Sequence, residues 1–133
     1  MANYKELFRS YLDREGVLYT NEEYCLKVAY SGANMSKIPV LVFFDEQNAV
    51  VRVRCCEICN LGRNESFGLR SCNEANAQYP WVKFYMDKEG NVISGVDAYL
   101  EEHTCGRECL ELVRKLAHIT DEAYRIFVGE IWA

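Results

Sequence analysis

The feature that most restricts the fold is a seven-residue apolar run, 38–44, set between two segments of alternating polarity. In a strand, alternate residues of this run would point to opposite faces, and both groups are apolar. This predicts a central strand covered on both faces. Residues 23–30 and 49–55 alternate with period two, as strands with one buried face do. Because the links at 31–34 and 45–48 are short and rich in turn formers, the three strands are predicted to form an antiparallel meander.

Two helices and a β-hairpin are predicted around this meander. Apolar side chains in residues 3–15 recur with helical spacing, and Gly16 ends that helix. Residues 66–78 lack β-branched side chains and predict a second helix. Residues 81–86 and 92–96 are rich in strand formers and flank a Gly-containing turn, so they predict a hairpin. The second helix is predicted to cover the core with four side chains: Phe67, Leu69, Cys72 and Ala75.

The C-terminal region is predicted to be helical with an interruption. We expect a break near residues 118–120, after which Thr120 supplies a helix cap and Asp121 and Glu122 a negative first turn. Two apolar stripes flank the break: Cys109, Leu112, Val113, Leu116 and Ala117, then Tyr124, Phe127, Val128 and Ile131. The resulting order α-β-β-β-α-β-β-α has too few helices for a parallel sheet. It predicts a single α+β domain over residues 1–133, in which helices pack on a twisted antiparallel sheet.

Composition and charge narrow the classes of function. The net charge is −5, and the basic residues are dispersed apart from Arg52 and Arg54. Nucleic-acid binding is therefore not expected, because it depends on clustered cations that release counterions. No apolar stretch approaches the roughly 20 residues of a membrane helix, and residues 1–6 lack the features of a secretory signal. Seven cysteines without such a signal indicate reduced thiols in a cytoplasmic protein.

Five of these cysteines suggest alternative chemistry. Cys56 and Cys59 form a C-x-x-C beside Cys55, and Cys105 and Cys109 are four residues apart. The two pairs could form a tetrahedral zinc site, or Cys56 and Cys59 could form a redox pair. However, Cys105 and Cys109 have helical spacing, Cys55 continues a strand alternation, and a loop rather than a helix is predicted after Cys59. We therefore interpret the cysteines mostly as core thiols and predict no metal site and no cofactor.

Catalytic residues are not predicted. His103 lies in an acidic loop and His118 near a predicted helix end, and neither has an evident partner for nucleophilic catalysis. No phosphate-binding, dinucleotide-binding or serine-nucleophile motif is present. Asp97, Asp121 and Glu122 are interpreted as solvated charges or helix-start signals. We therefore expect a protein that is not an enzyme.

Residues 73–99 resemble a known family. They match a pattern of a helix ending in Asn-x-x-Asn, an aromatic–Lys–Phe strand, an Asp–Gly turn and a second strand. The matching residues are Asn73, Asn76, Trp81, Lys83, Phe84, Asp87 and Gly90. This pattern is similar to that of the bacterial YbjN-like proteins, whose fold is that of type III secretion chaperones. The resemblance implies a non-enzymatic chaperone-like or sensory regulatory protein, often dimeric, that binds extended segments of a partner.

Two hypotheses of different classes follow. The first is a regulatory module that binds a protein or peptide partner and forms a homodimer through apolar surface on the sheet or the second helix. The second is a cysteine-based zinc-binding or redox-sensing domain.

Overall fold

The computed structural model describes residues 3–129, which form a six-stranded antiparallel sheet and three α-helices. The elements in chain order are α1 Tyr4–Glu15, β1 Thr20–Asn21, β2 Leu26–Tyr30, β3 Ile38–Asp45, β4 Val50–Asn60, α2 Glu65–Gln78, β5 Lys83–Met86, β6 Asn91–Tyr99 and α3 Cys105–Phe127. The spatial order of the strands is β1-β2-β3-β4-β6-β5, with every neighbouring pair antiparallel. The predicted α+β class, meander and hairpin are confirmed. The two-residue strand β1 was not predicted.

Helix α1 begins and ends as its sequence indicates. The Asn3 side chain accepts a hydrogen bond from the Glu6 backbone N–H at 3.1 Å, which is an N-cap. Gly16 adopts φ 71°, a left-handed conformation that ends helices at little cost for glycine. Between them, Phe8 and Leu12 are completely buried and fix the helix on the core.

The two faces of the sheet differ in burial. On β4, Val51 and Val53 are fully buried, whereas Arg52 between them is exposed. On β3, the side chains of Val40 and Val42 point into the core and are fully buried. Leu41 and Phe43, on the opposite face, are only partly buried. Within the described residues, the prediction that residues 38–44 are covered on both faces is met only in part: Pro39 on the second face is buried, but Leu41 and Phe43 are only partly buried because the helices pack on the other side.

Helix α3 runs without the predicted break. The Thr120 hydroxyl is buried and lies 2.7 Å from the Ser94 hydroxyl on β6. The Asp121 carboxylate, 8% exposed, accepts hydrogen bonds from the backbone N–H groups of residues 33–35 at 2.7–3.0 Å. Both polar residues therefore have tertiary partners and neither starts a helix, so the prediction that Asp121 is a solvated helix-start signal is wrong. Ile131 of the predicted second stripe lies outside the described residues.

The inward side of α2 differs from the prediction at two positions. Cys72 and Ala75 are buried as expected, but Leu69 is 53% exposed and Phe67 only partly buried. Gly68 faces the sheet instead, where a Cβ atom would collide with the Met86 sulfur. The close approach of α2 to β5 thus explains a glycine inside a helix.

The edge strand β5 is protected by a side chain of α2. The Phe84 backbone N–H donates to Asn76 Oδ1 at 2.8 Å, and Asn76 Nδ2 donates to the Phe84 carbonyl at 3.0 Å. The amide thus takes the place of a further strand and satisfies backbone groups that an edge would expose. Asn76 therefore has a structural role.

Candidate functional site

The first candidate surface is the sheet face opposite the helices, called here the open sheet face. Phe43, Arg52 and Asp97 are neighbours across β3, β4 and β6, and Leu41 and Arg54 occupy the next row. Leu41 and Phe43 are partly buried, while Arg52 and Asp97 are exposed. The face therefore presents apolar side chains beside charged ones without a covering helix.

The charges on the open sheet face are arranged in a cluster. The Arg54 guanidinium lies 2.7 Å from Asp97 Oδ1, and Lys83 Nζ lies 3.8 Å from Asp97 Oδ2. Partial burial opposes ionisation of Asp97, but the Arg54 hydrogen bond and the charges of Arg54, Lys83 and Arg52 hold the pKa of Asp97 below its usual value. Gly95 leaves room for Arg54, since a Cβ atom there would collide with the guanidinium. Paired charges of this kind can enter an interface without leaving an isolated buried ion.

The second candidate surface, called here the aromatic groove, lies between α3 and the link from α2 to β5. It has a volume of about 540 Å³ and is lined by Pro80, Trp81, Arg114, Lys115, His118 and Ile119. Lys115 Nζ lies 4.6 Å from the centroid of the Trp81 ring, within the range of a cation–π contact. A second depression of about 580 Å³ shares Arg114 and His118 with the groove, so the two form one elongated surface.

Trp81 has an unusual backbone conformation. Its φ is +70°, and the Val82 N–H donates to the Pro80 carbonyl at 2.8 Å, which makes Trp81 the central residue of a γ-turn. A bulky residue with positive φ is strained. The Trp81 side chain is nevertheless 74% exposed, whereas Val82 is buried. The sequence prediction placed Trp81 in a strand, and the structure places it before β5 as an outward-facing side chain.

The cysteines do not form the predicted zinc alternative. Cys55, Cys56 and Cys59 lie on β4, where the register with β6 shifts between Cys55 and Cys59. Cys105 and Cys109 are fully buried at the start of α3, where the Cys105 thiol is 3.7 Å from the Tyr4 carbonyl. Across residues 3–129, no group of three or more His, Cys, Asp or Glu side chains could hold a metal ion. The zinc hypothesis has no support in this arrangement.

The thiols also lack the features of a redox pair. The C-x-x-C lies in a strand, not at the N-terminus of a helix that would stabilise a thiolate. Burial raises the pKa of Cys56, and it raises the pKa of Cys55 to about 12 and that of Cys59 to about 11. In the buried pair on α3, the Cys105–Cys109 hydrogen bond lowers the pKa of Cys105 and raises that of Cys109. All seven cysteines are free thiols, and five of them are buried.

The two histidines lie in different surroundings. His103 is exposed in the link before α3, and its backbone N–H donates to Glu101. His118 lies within α3, not at a helix end as predicted, and its Nε2 is 3.6 Å from a Glu122 carboxylate oxygen.

Among the described helices, none is both long and apolar enough to span a membrane.

Comparison with solved structures shows the same fold in three proteins. YbjN from E. coli is 9% identical, with 92% of this chain and 91% of that chain covered at a TM-score of 0.63. The type III secretion chaperone SycH from Yersinia pestis, in complex with a stable fragment of YscM2, is 13% identical, with 93% and 99% covered at a TM-score of 0.56. A chain of the ExsC–ExsE complex is also 13% identical, with 97% and 95% covered at a TM-score of 0.51.

Sequence comparison adds the family. No curated protein matches the sequence. The model of the YbjN family, described as "Putative bacterial sensory transduction regulator", matches residues 5–125. This match includes all six strands, α2 and all but the first residue of α1, and ends two residues before the end of α3. The chain therefore belongs to the YbjN family.

Proposed function

We propose that the protein is a non-enzymatic regulatory module that binds a protein partner and forms a homodimer. The observation that carries this proposal is the sheet with helices on one face only, which leaves partly buried apolar side chains on the other. Two proteins of the same fold support it, since SycH was crystallised with a fragment of YscM2 and the other chain in the ExsC–ExsE complex.

The open sheet face has the composition of an interface. Leu41 and Phe43 supply apolar area at its centre, and Tyr99 at the end of β6 is 83% exposed. Arg54 and Asp97 neutralise one another there, so a second surface could cover them at limited electrostatic cost. A specific association through this face should bury about 1,000 Å² or more in total.

The net charge and the free thiols support a cytoplasmic location and a protein partner. A net charge of −5 disfavours nucleic acid as the partner, because polyphosphates require clustered cations. Seven free thiols, most of them buried, are compatible with a reducing compartment. We therefore assign the protein to the cytoplasm, where its partner would be another protein.

Light scattering of three forms of the protein tests the proposed interface. Wild type is expected to be a dimer that persists at raised salt, because apolar contacts are screened little. Phe43→Asp is expected to be a monomer, since it places a charge in the centre of the interface. Leu18→Asp is the matched control, because Leu18 is 90% exposed and lies between α1 and β1. It should remain dimeric.

Affinity capture from the native cytosol with the same three forms tests partner binding. A partner retained by wild type and by Leu18→Asp but lost by Phe43→Asp would place the contact on the open sheet face. A wild-type protein that is monomeric at high concentration would remove the dimer from the proposal. Reproducible turnover of a small molecule would overturn the proposal as a whole.

A further inference from the structure

We propose that the aromatic groove is a docking site for an acidic segment of a protein partner, which places an apolar side chain against Trp81 and Ile119. This inference rests on the proposed function, to which it adds the location of a contact and the chemistry of the partner. It concerns a surface separate from the open sheet face. The charge of the groove, the exposed Trp81 ring and the shape of the groove support this assignment.

The charge of the aromatic groove is opposite to that of the whole chain. Among residues 3–129, its lining includes Arg114, Lys115 and His118 but no carboxylate, although the net charge of the protein is −5. Within residues 3–129, neither Arg114 nor Lys115 forms an ion pair. Arg114 interacts with the Tyr30 side chain and Lys115 with the Trp81 ring, and neither contact neutralises the cation. Both cations can therefore form charge-assisted hydrogen bonds with carboxylates of a partner.

The acidic residues next to the groove do not cancel these cations. Asp121 and Glu122 line only the adjoining depression. The Asp121 carboxylate is already occupied by three backbone N–H groups. Glu122 faces His118 at 3.6 Å. Both carboxylates keep their charge, so net positive charge is confined to the aromatic groove itself, and the acidic residues of the segment would have to lie there, beside Arg114 and Lys115.

Trp81 provides a preformed anchor beside these cations. The γ-turn directs its ring outward, and Lys115 lies over the ring. Pro80 and Ile119 complete an apolar wall. A side chain held in its binding orientation before the partner arrives loses little conformational entropy on binding, and tryptophan contributes large contact energies in interfaces.

The shape and the number of cations favour a protein segment over a nucleic acid. The groove and its adjoining depression share Arg114 and His118, so an extended chain with its acidic residues in the groove could continue into the depression, where Asp121 and Glu122 favour uncharged residues. A polynucleotide brings a charge with every nucleotide, and two permanent cations on an acidic protein would neutralise little of it. An extended peptide can instead place alternate side chains on the apolar wall and on the cations.

Selection from a phage-displayed library of random peptides of about 16 residues tests this proposal. Wild type should enrich peptides that carry Asp or Glu around an apolar residue. Arg114→Glu combined with Lys115→Glu should weaken a selected peptide about tenfold or more. Arg63→Glu with Lys88→Glu is the matched control, because it changes the net charge equally at exposed residues outside the groove. This control should bind like wild type.

Trp81→Gly separates binding from folding. Glycine adopts positive φ without strain, and little apolar burial is lost with a ring that is 74% exposed, so the thermal midpoint should be unchanged or higher. Peptide binding should nevertheless be lost, whereas Trp81→Phe should retain most of it. In a Trp132→Phe background Trp81 is the only tryptophan, and its emission should shift when a selected peptide without tryptophan is added.

The outcomes distinguish this inference from the proposed function. If selected peptides bind wild type and the Arg114–Lys115 double variant equally, the docking site is wrong while protein binding stands. If wild type enriches no acidic peptides, the inference falls, and the scattering and capture experiments decide the proposed function separately. Displacement of a selected peptide by a thymidine oligonucleotide, with a change in Trp81 emission, would assign the groove to nucleic acid and also overturn it.

Discussion

Removal of the Asp121 carboxylate should produce one of the largest losses of stability available from a single polar substitution in this chain. The carboxylate joins α3 to the link between β2 and β3 by accepting hydrogen bonds from the N–H groups of Ala33, Asn34 and Met35 at 3.0, 3.0 and 2.7 Å. The contact is close, because a Cβ atom on Gly32 would collide with the same carboxylate. The variant to test is Asp121→Ala.

The magnitude follows from the surroundings of the three donors. A hydrogen bond to a charged group contributes about 1.5–3 kcal/mol, and a buried donor left without a partner costs about 1–3 kcal/mol. Ala33 and Asn34 are exposed, so their N–H groups can turn to water, whereas Met35 is 6% exposed. We therefore expect Asp121→Ala to lower the free energy of unfolding by about 3–5 kcal/mol in total.

Thermal and denaturant unfolding followed by circular dichroism provide the assay. For a chain of 133 residues, this loss corresponds to a decrease in Tm of roughly 11–18 °C. Asp121→Asn keeps one acceptor oxygen and should lose less, about 1–3 kcal/mol. Glu122→Ala is the matched control and should change stability by no more than about 0.5 kcal/mol, because Glu122 is exposed. If Asp121→Ala unfolds within a few degrees of Glu122→Ala, the carboxylate does not hold the link and the reasoning fails.

Three further outcomes are expected. At concentrations where wild type is also monomeric, Phe43→Asp should cost only about 1–2 kcal/mol in equilibrium unfolding, because Phe43 is partly exposed and the new carboxylate faces Arg52; a larger loss under those conditions would show that this face is covered within one chain. Native-state thiol labelling should modify mainly Cys56 and Cys59, slowly at neutral pH because burial raises their pKa values and faster as rising pH forms the thiolate, and rapid labelling of all seven would contradict the structure. The lowered pKa of Asp97 stabilises the fold above its unfolded pKa of about 3.9, and this contribution is lost as the pH falls through the folded pKa. The stability difference between wild type and Asp97→Asn should therefore be constant at neutral pH and shrink below about pH 4, and a difference that grows on acidification would reverse the assignment.

The strands and helices were predictable because local patterns specify them. Alternation identified the meander, and helical spacing identified α1 and most of α3. The break predicted near Thr120 failed for an equally local reason, since Thr-Asp-Glu resembles a helix start. The partners that explain those residues, Ser94 and the link at 33–35, lie far away in the sequence. No local pattern records such a contact.

The cover of β3 could not be predicted for a different reason. A strand with apolar side chains on both faces reveals that burial is favourable on each side, but not whether the cover comes from the same chain. In this structure Val40 and Val42 are covered by the chain itself, while Leu41 and Phe43 remain partly exposed. The apolar character of the second face is therefore consistent with a cover supplied by another molecule.

Five of the seven residues that carry the family resemblance divide into two groups. Asn76 protects the edge of β5, Phe84 packs in the core against Phe127, and Gly90 adopts φ 85° in the β5–β6 turn. These three are explained by the fold. Trp81 and Lys83 are exposed, so neither is needed to fill the core. The sequence could indicate that these residues form a pattern, but only the structure separates those that support the fold from those that remain available to a partner.

The backbone conformation of Trp81 costs more free energy than its contacts among the described residues return. Its positive φ costs about 1–3 kcal/mol for a residue other than glycine. An exposed cation–π contact such as that with Lys115 returns only about 0.5–1 kcal/mol, and a ring that is 74% exposed gains little from burial. Stability alone would favour glycine at this position. Among residues 3–129, the Lys115 contact offsets only part of this cost, and docking of a partner in the aromatic groove would give the ring further contacts.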